Sequence, residues 1–101
     1  MKSKRTKATS IPNSVKEKVL KRDGGRCIIC GRMGYPNAHL VKRSQGGMGV
    51  EENIVTLCPE CHIEEDMGAN CRSYERKIEE YLEKQYPGWT REKVTYNKWR
   101  E

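Results

Sequence analysis

Two short pairs, Cys27-Ile28-Ile29-Cys30 and Cys58-Pro59-Glu60-Cys61, constrain this chain more than any other feature. Each is a C-x-x-C knuckle, a tight turn that brings two sulfurs to one ion, and two of them complete the four soft ligands, near 2.3 Å each, that a tetrahedral zinc takes. The chain needs such a staple: at 101 residues and 35% hydrophobic content it has room for one domain with a modest apolar core. No N-terminal apolar run of signal-peptide or transmembrane length precedes the pairs, so the expected setting is a reducing, cytoplasmic one without a membrane span. There, paired cysteines favour structural Zn²⁺ on Cys27, Cys30, Cys58 and Cys61 over a redox dithiol, a disulfide or iron. Cys71 is left over and is given no role.

The formal net charge of +6 is unevenly spread. Residues 1–26 carry nine lysines and arginines against Glu17 and Asp23, a local balance of +7, so the remainder sums to −1. A basic arm on a near-neutral body suits a polyanion, because each phosphate met by Lys or Arg releases condensed counterions. A solubilising tail has the same composition.

Residues 1–10 lack apolar periodicity and read as a flexible basic arm, with a single domain over 11–101. Ser14 and Glu17 form a capping-box pattern for a short helix near 15–22, with Val19 and Leu20 facing inward and Gly24 ending it. Two extended runs follow, Ala38 to Val41 and Asn53 to Leu57, joined by a glycine-dense loop whose backbone can approach another chain or a phosphate. Pro59 marks the start of a further helix and Gly68 its end. A C-terminal helical extension covers about 70–100: Tyr74, Ile78, Tyr81 and Leu82 fall at helical spacing until Pro87-Gly88, and Thr90 caps a last short helix docked by Val94 and Trp99. No Walker or dinucleotide signature occurs, which removes support from nucleotide-driven motors and redox enzymes.

The chain has two histidines, and neither is needed for the four-sulfur site. His62 follows the second knuckle at the start of the expected helix, with Asp66 four residues on, so both side chains project from one helical face. Imidazole and carboxylate at that spacing can hold a divalent ion such as Mg²⁺ or Mn²⁺ with open water positions, or form an ordinary surface pair. Lys42, Arg43 and Ser44, beside Gly46 and Gly47, could clamp the backbone of a nucleic-acid strand or, for Lys42 and Arg43, form a solvated turn, and no helix offers several side chains spaced for reading bases.

The strings RDGGRCIICG, AHLVKRSQGG and ENIVTLCPECH, in that order over residues 22–68, resemble the HNH endonuclease family, and the layout with a helical tail ending YPGW is similar to small phage-associated members. The resemblance implies an α+β fold: a ββα-metal core over about 22–68, in which the run carrying His39 pairs with the run carrying Asn53 and the helix carrying His62 packs across them. N-terminal and C-terminal helices flank that core. It implies hydrolysis of DNA phosphodiester bonds, with RNA open, by a metal-dependent endonuclease. His39 would be the general base, Asn53 would orient the loop or the histidine, and His62 would bind the catalytic ion. One position departs from the pattern. Many members place Asp, Glu or His before the catalytic histidine as a metal ligand, where this chain has Ala38. Three outcomes follow: Asp66 replaces the ligand, His62 holds the ion with substrate oxygens, or the protein is inactive. The alternative functions are therefore a non-catalytic zinc-stabilised nucleic-acid module that has lost the ligand at Ala38, and an interaction protein using the Tyr74 to Tyr86 face, though that stripe fits core packing better.

Overall fold

The computed structural model describes residues 4–96, and Trp99 lies outside the described residues. Helix α1 (Lys4–Thr9) falls within the segment expected to be a flexible arm. Its end is tied to the body: the Gly49 N–H donates to the Ala8 carbonyl at 2.8 Å, and Thr9 is buried.

Helix α2 (Asn13–Asp23) begins earlier than its capping pattern suggests. Pro12 sits at the cap in an extended conformation and its carbonyl accepts from the N–H groups of Val15 and Lys16. Ser14 is thus already inside the first turn, and the Ser14–Glu17 capping box does not form. Gly24, at φ 66°, closes the helix in the left-handed conformation as expected. Val19 is buried, whereas Leu20, expected inward, is 40% exposed.

Strands β1 (Tyr35–His39) and β2 (Ile54–Leu57) pair antiparallel, with Ala38 opposite Val55 and His39 opposite Ile54. An irregularity between Tyr35 and Ala38 bends β1, so the strand lies earlier than the run Ala38 to Val41 that hydropathy picks out. Leu40 and Val41 are buried just beyond it. Helix α3 (Pro59–Met67) starts with Pro59 in its first turn and stops at Gly68. Helix α4 (Cys71–Gln85) ends before Pro87, which holds Tyr86 extended. A 3-10 turn, Arg91–Val94, follows, its Lys93 N–H bonded to the Thr90 hydroxyl.

One face of the sheet, Ala38 and Leu40 with Val55 and Leu57, packs on three of the four paired cysteines and on Ile78 and Leu82 of α4. Fully burying a side chain of the Leu or Ile class contributes about 1.5–3 kcal/mol. The aromatic stripe of α4 turns inward with them, Tyr74, Tyr81 and Tyr86 packing against this cluster, so it is core and not a partner surface. A polar clamp secures the assembly. The Arg22 guanidinium donates to the Glu51 and Ile54 carbonyls, both at 2.8 Å, and to the Tyr86 hydroxyl at 3.0 Å. Asp23 accepts from the Thr56 N–H at 2.9 Å and the Tyr81 hydroxyl at 2.5 Å. Two adjacent residues thereby join α2, β2 and α4.

Candidate functional site

The cysteine centre is built from two unlike turns. Cys27 and Cys30 lie on a small loop closed by the Arg26–Met33 bridge and by the Gly31 N–H bonded to the Cys27 carbonyl at 2.9 Å. Gly31 takes φ 79°, a left-handed conformation that favours glycine. Cys58 and Cys61 sit at the N-terminus of α3, where the Cys61 N–H points at the Cys58 sulfur at 3.4 Å. The four Sγ atoms all lie within 4.8 Å of one another. A tetrahedron of 2.3 Å bonds has edges of about 3.8 Å, so the four are positioned to bind one metal ion, and an all-sulfur set of this size fits zinc. Their acidities show the same need for a cation. Burial pushes Cys27 up, but bonds from the backbone of Cys30, Cys58 and Ile29 bring it down to about 7. Cys61 is raised, by burial and then by hydrogen bonds with the other three thiols. Four sulfurs in mutual contact cannot all ionise without positive charge among them. Cys27, Cys58 and Cys61 are buried and Cys30 is exposed.

Both histidines stand on the elements expected to carry them, His39 at the end of β1 and His62 in the first turn of α3. The His39 Nε2 lies 2.9 Å from the Thr9 carbonyl. Burial lowers the His39 pKa below the ordinary imidazole value; the Thr9 carbonyl opposes the shift, and the charges of Arg43, Lys42 and His62 add to it. His62 is lowered too, by burial first, with Asp66 opposing and Lys42 assisting. Lys42 thus bears on both imidazoles, with Arg43 acting on His39 and Asp66 on His62.

Asp66 is half exposed and its partner is the Lys42 ammonium at 3.3 Å. Lys42 also bonds Glu65 at 2.5 Å. Glu65 is a residue the sequence reading passed over. Its side chain is fully buried, its Oε1 has no hydrogen-bond partner among the described residues, and burial raises its pKa despite Lys42. It stands three residues after His62 on the inward face of α3. Among the described residues, the four cysteines are the one group that brings three or more donor atoms within reach of a single ion. His62 and Asp66 offer two donors on one helix, and Ala38, fully buried in the core, offers none.

Asn53, fully buried, binds the loop and not the histidine. Its Oδ1 accepts from the Val41 N–H at 2.9 Å, and its Nδ2 donates to the carbonyls of Val41 at 3.2 Å and Met48 at 2.9 Å. The glycines of that loop correct the expectation drawn from their density. Gly46 and Gly47 are buried, and their N–H groups bond the Arg43 and Lys42 carbonyls at 2.9 and 2.8 Å, so neither is presented to a phosphate. A Cβ on Gly47 would lie 1.6 Å from the Val41 carbonyl oxygen, which explains glycine there by close packing. Strand-like contacts with the C-terminal segment hold the loop's far side, the Met48 N–H bonding the Val94 carbonyl and the Tyr96 N–H the Gly46 carbonyl. Of the five residues expected to meet DNA, Arg43 and Ser44 remain exposed, and Lys42 is half-buried on its two carboxylates.

Residues 27–66 match the model of the HNH endonuclease family, a nuclease domain that acts on nucleic acids. The matched stretch contains both knuckles, His39, Asn53, His62 and Asp66, together with β1, β2 and nearly all of α3. No curated protein matches the chain. No helix among the described residues is long and apolar enough to cross a membrane.

Proposed function

Taking the HNH domain over residues 27–66 as the premise, we propose that the chain is a metal-dependent endonuclease that hydrolyses DNA phosphodiester bonds. The observation that carries the reading is the setting of His39: a half-buried imidazole, held on one side by a carbonyl, lies within electrostatic reach of two cationic side chains and of His62. Burial and those positive neighbours keep it neutral, the state a general base requires. His39 takes a proton from water, the resulting hydroxide oxygen bonds to phosphorus, and the bond to the 3′ oxygen breaks, that oxygen taking a proton from solvent, which leaves 5′-phosphate and 3′-hydroxyl ends. His62 and Asp66 would hold the catalytic Mg²⁺ or Mn²⁺, and Glu65 lies beside them with one oxygen unengaged. When bound, that ion polarises the phosphate and stabilises the leaving oxygen. Asn53 acts indirectly, by fixing the loop that carries Lys42 and Arg43. Arg43 and Ser44 steer the phosphate backbone. With zinc, the cysteine centre would tie the loop of Cys27 and Cys30 to the start of α3 and so fix where His62 stands.

A second reading has its own support. Ala38 is buried without a donor atom, and the Asp66 carboxylate is already paired with Lys42. These two facts favour a zinc-stabilised nucleic-acid-binding module without catalysis. Plasmid nicking separates the two. Zinc-loaded wild type, His39→Ala and Asp66→Ala are compared in Mg²⁺, Mn²⁺ and chelator. Metal-dependent nicking by wild type that disappears in His39→Ala establishes the nuclease; salt-sensitive binding without cleavage in every sample establishes the module. Undiminished cutting by Asp66→Ala at limiting metal removes Asp66 from the ligand set.

A further inference from the structure

The contact between His39 and Thr9 comes from outside the matched region, and its chemistry admits one arrangement. A carbonyl oxygen can only accept, so the nitrogen 2.9 Å from it must carry the hydrogen. We infer that the backbone carbonyl of Thr9 is a positioning group of the active site: it holds His39 as the Nε2-protonated tautomer and leaves Nδ1 as the nitrogen that receives the proton from water. The inference rests on the reading of His39 as the base. Which ring nitrogen is basic is set by the bond the other one makes.

The geometry around Thr9 shows that the contact is built. Thr9 is 3% exposed, and the residues on both sides of it are held by the loop that follows His39. The Gly49 N–H bonds the Ala8 carbonyl at 2.8 Å, and Arg43 reaches the Ser10 hydroxyl at 3.5 Å. Position 49 has no room for a side chain, since a Cβ there would stand 1.9 Å from the Ser10 carbonyl oxygen. The backbone carbonyls of residues 8 to 10 therefore lie against Gly49 and His39 at once. The same bond supports the imidazolium formed in the reaction, where Nε2–H donates more strongly. The N-terminal segment is thus more than a cationic arm: its main chain completes the base.

The test reads the tautomer directly. The chain has only two histidines, so ¹⁵N-labelled imidazoles of full-length, zinc-loaded protein give two ring systems, separated by a His62→Gln sample. At pH 8 wild type is expected to show His39 with a proton on Nε2 that exchanges slowly with water and a bare Nδ1. Gly49→Ala, which must push Ser10 away, is expected to lose the slow Nε2 proton and to drop kcat by about tenfold or more, with KM changed much less. Gly34→Ala, whose Cβ would meet the Leu57 backbone at 2.8 Å, is the control for a milder steric insult elsewhere and is expected to keep the Nε2 proton. Should Gly49→Ala fail to retain zinc and fold, an amide-to-ester replacement between Thr9 and Ser10 weakens the carbonyl as an acceptor without adding an atom, and is expected to speed exchange of the same proton. A wild-type ring protonated on Nδ1, or a folded Gly49→Ala that keeps both the slow proton and its kcat, overturns the inference. A correct tautomer in a protein that never cleaves overturns the nuclease reading instead, so the two failures are told apart.

Discussion

On the proposal that His39 is the base, its replacement by alanine is expected to lower nicking by about 10²–10⁴-fold, the span of general-base catalysis, with DNA affinity at low salt little changed. The acid side of its pH profile follows from the direction of its shift. Because burial and neighbouring cations lower the His39 pKa, the neutral ring persists below the ordinary value of about 6.5, and activity falls only at lower pH, as the imidazole charges. A kcat/KM profile whose acid limb has its midpoint above 6.5, or none in the imidazole range, removes this role. Gly47→Ala acts by another route. The Val41 carbonyl occupies the space of the new methyl group, so a loss of about 1–3 kcal/mol in chemical denaturation is expected, from overpacking and a displaced loop.

Among elements, the pair Arg22 and Asp23 decides how α2, β2 and α4 stay together. Bonds from Arg22, Tyr81 and the Thr56 N–H hold Asp23 below the usual carboxylate range against the effect of burial. An acid depressed in the native state contributes stability above its unfolded value, about 3.9, and loses that contribution as pH falls through the native value. Asp23→Ala also leaves Arg22, whose side chain is only 12% exposed, without its counter-charge, and is expected to cost about 3–5 kcal/mol at neutral pH by urea titration. Much of the element plan was legible in the chain because it is written in local punctuation: Gly24, Pro59, Gly68 and Thr90 each act on the residues next to them. The knuckles were legible for the same reason, as spacing alone brings each sulfur pair together. What escaped was nonlocal or carried by main chain. No side-chain pattern announces that the Thr9 carbonyl meets His39, that Pro12 displaces Ser14 from the cap, or that Gly46 and Gly47 are small because the chain crosses itself there. Glu65 was hidden differently, as an acid in a charged helix whose burial depends on Lys42, 23 residues away.

For the whole molecule, the family-matched stretch does not stand alone. The N-terminal segment reaches Gly49 and His39, and the C-terminal segment pairs with Gly46 to Met48, so both flanks brace the loop on which Lys42 and Arg43 sit. Three cysteines of the metal centre belong to the main core, and so stripping the ion is expected to unfold the domain rather than merely silence it: far-UV ellipticity and cleavage should fall together on chelation and return together with added zinc. The exposure of Cys30 beside three shielded partners gives that cluster a weak side. With zinc bound there, a chelator or an oxidant would meet the Cys30 sulfur before the other three. Shielding Cys30 alone would then lengthen the working life of the protein without making its fold more stable.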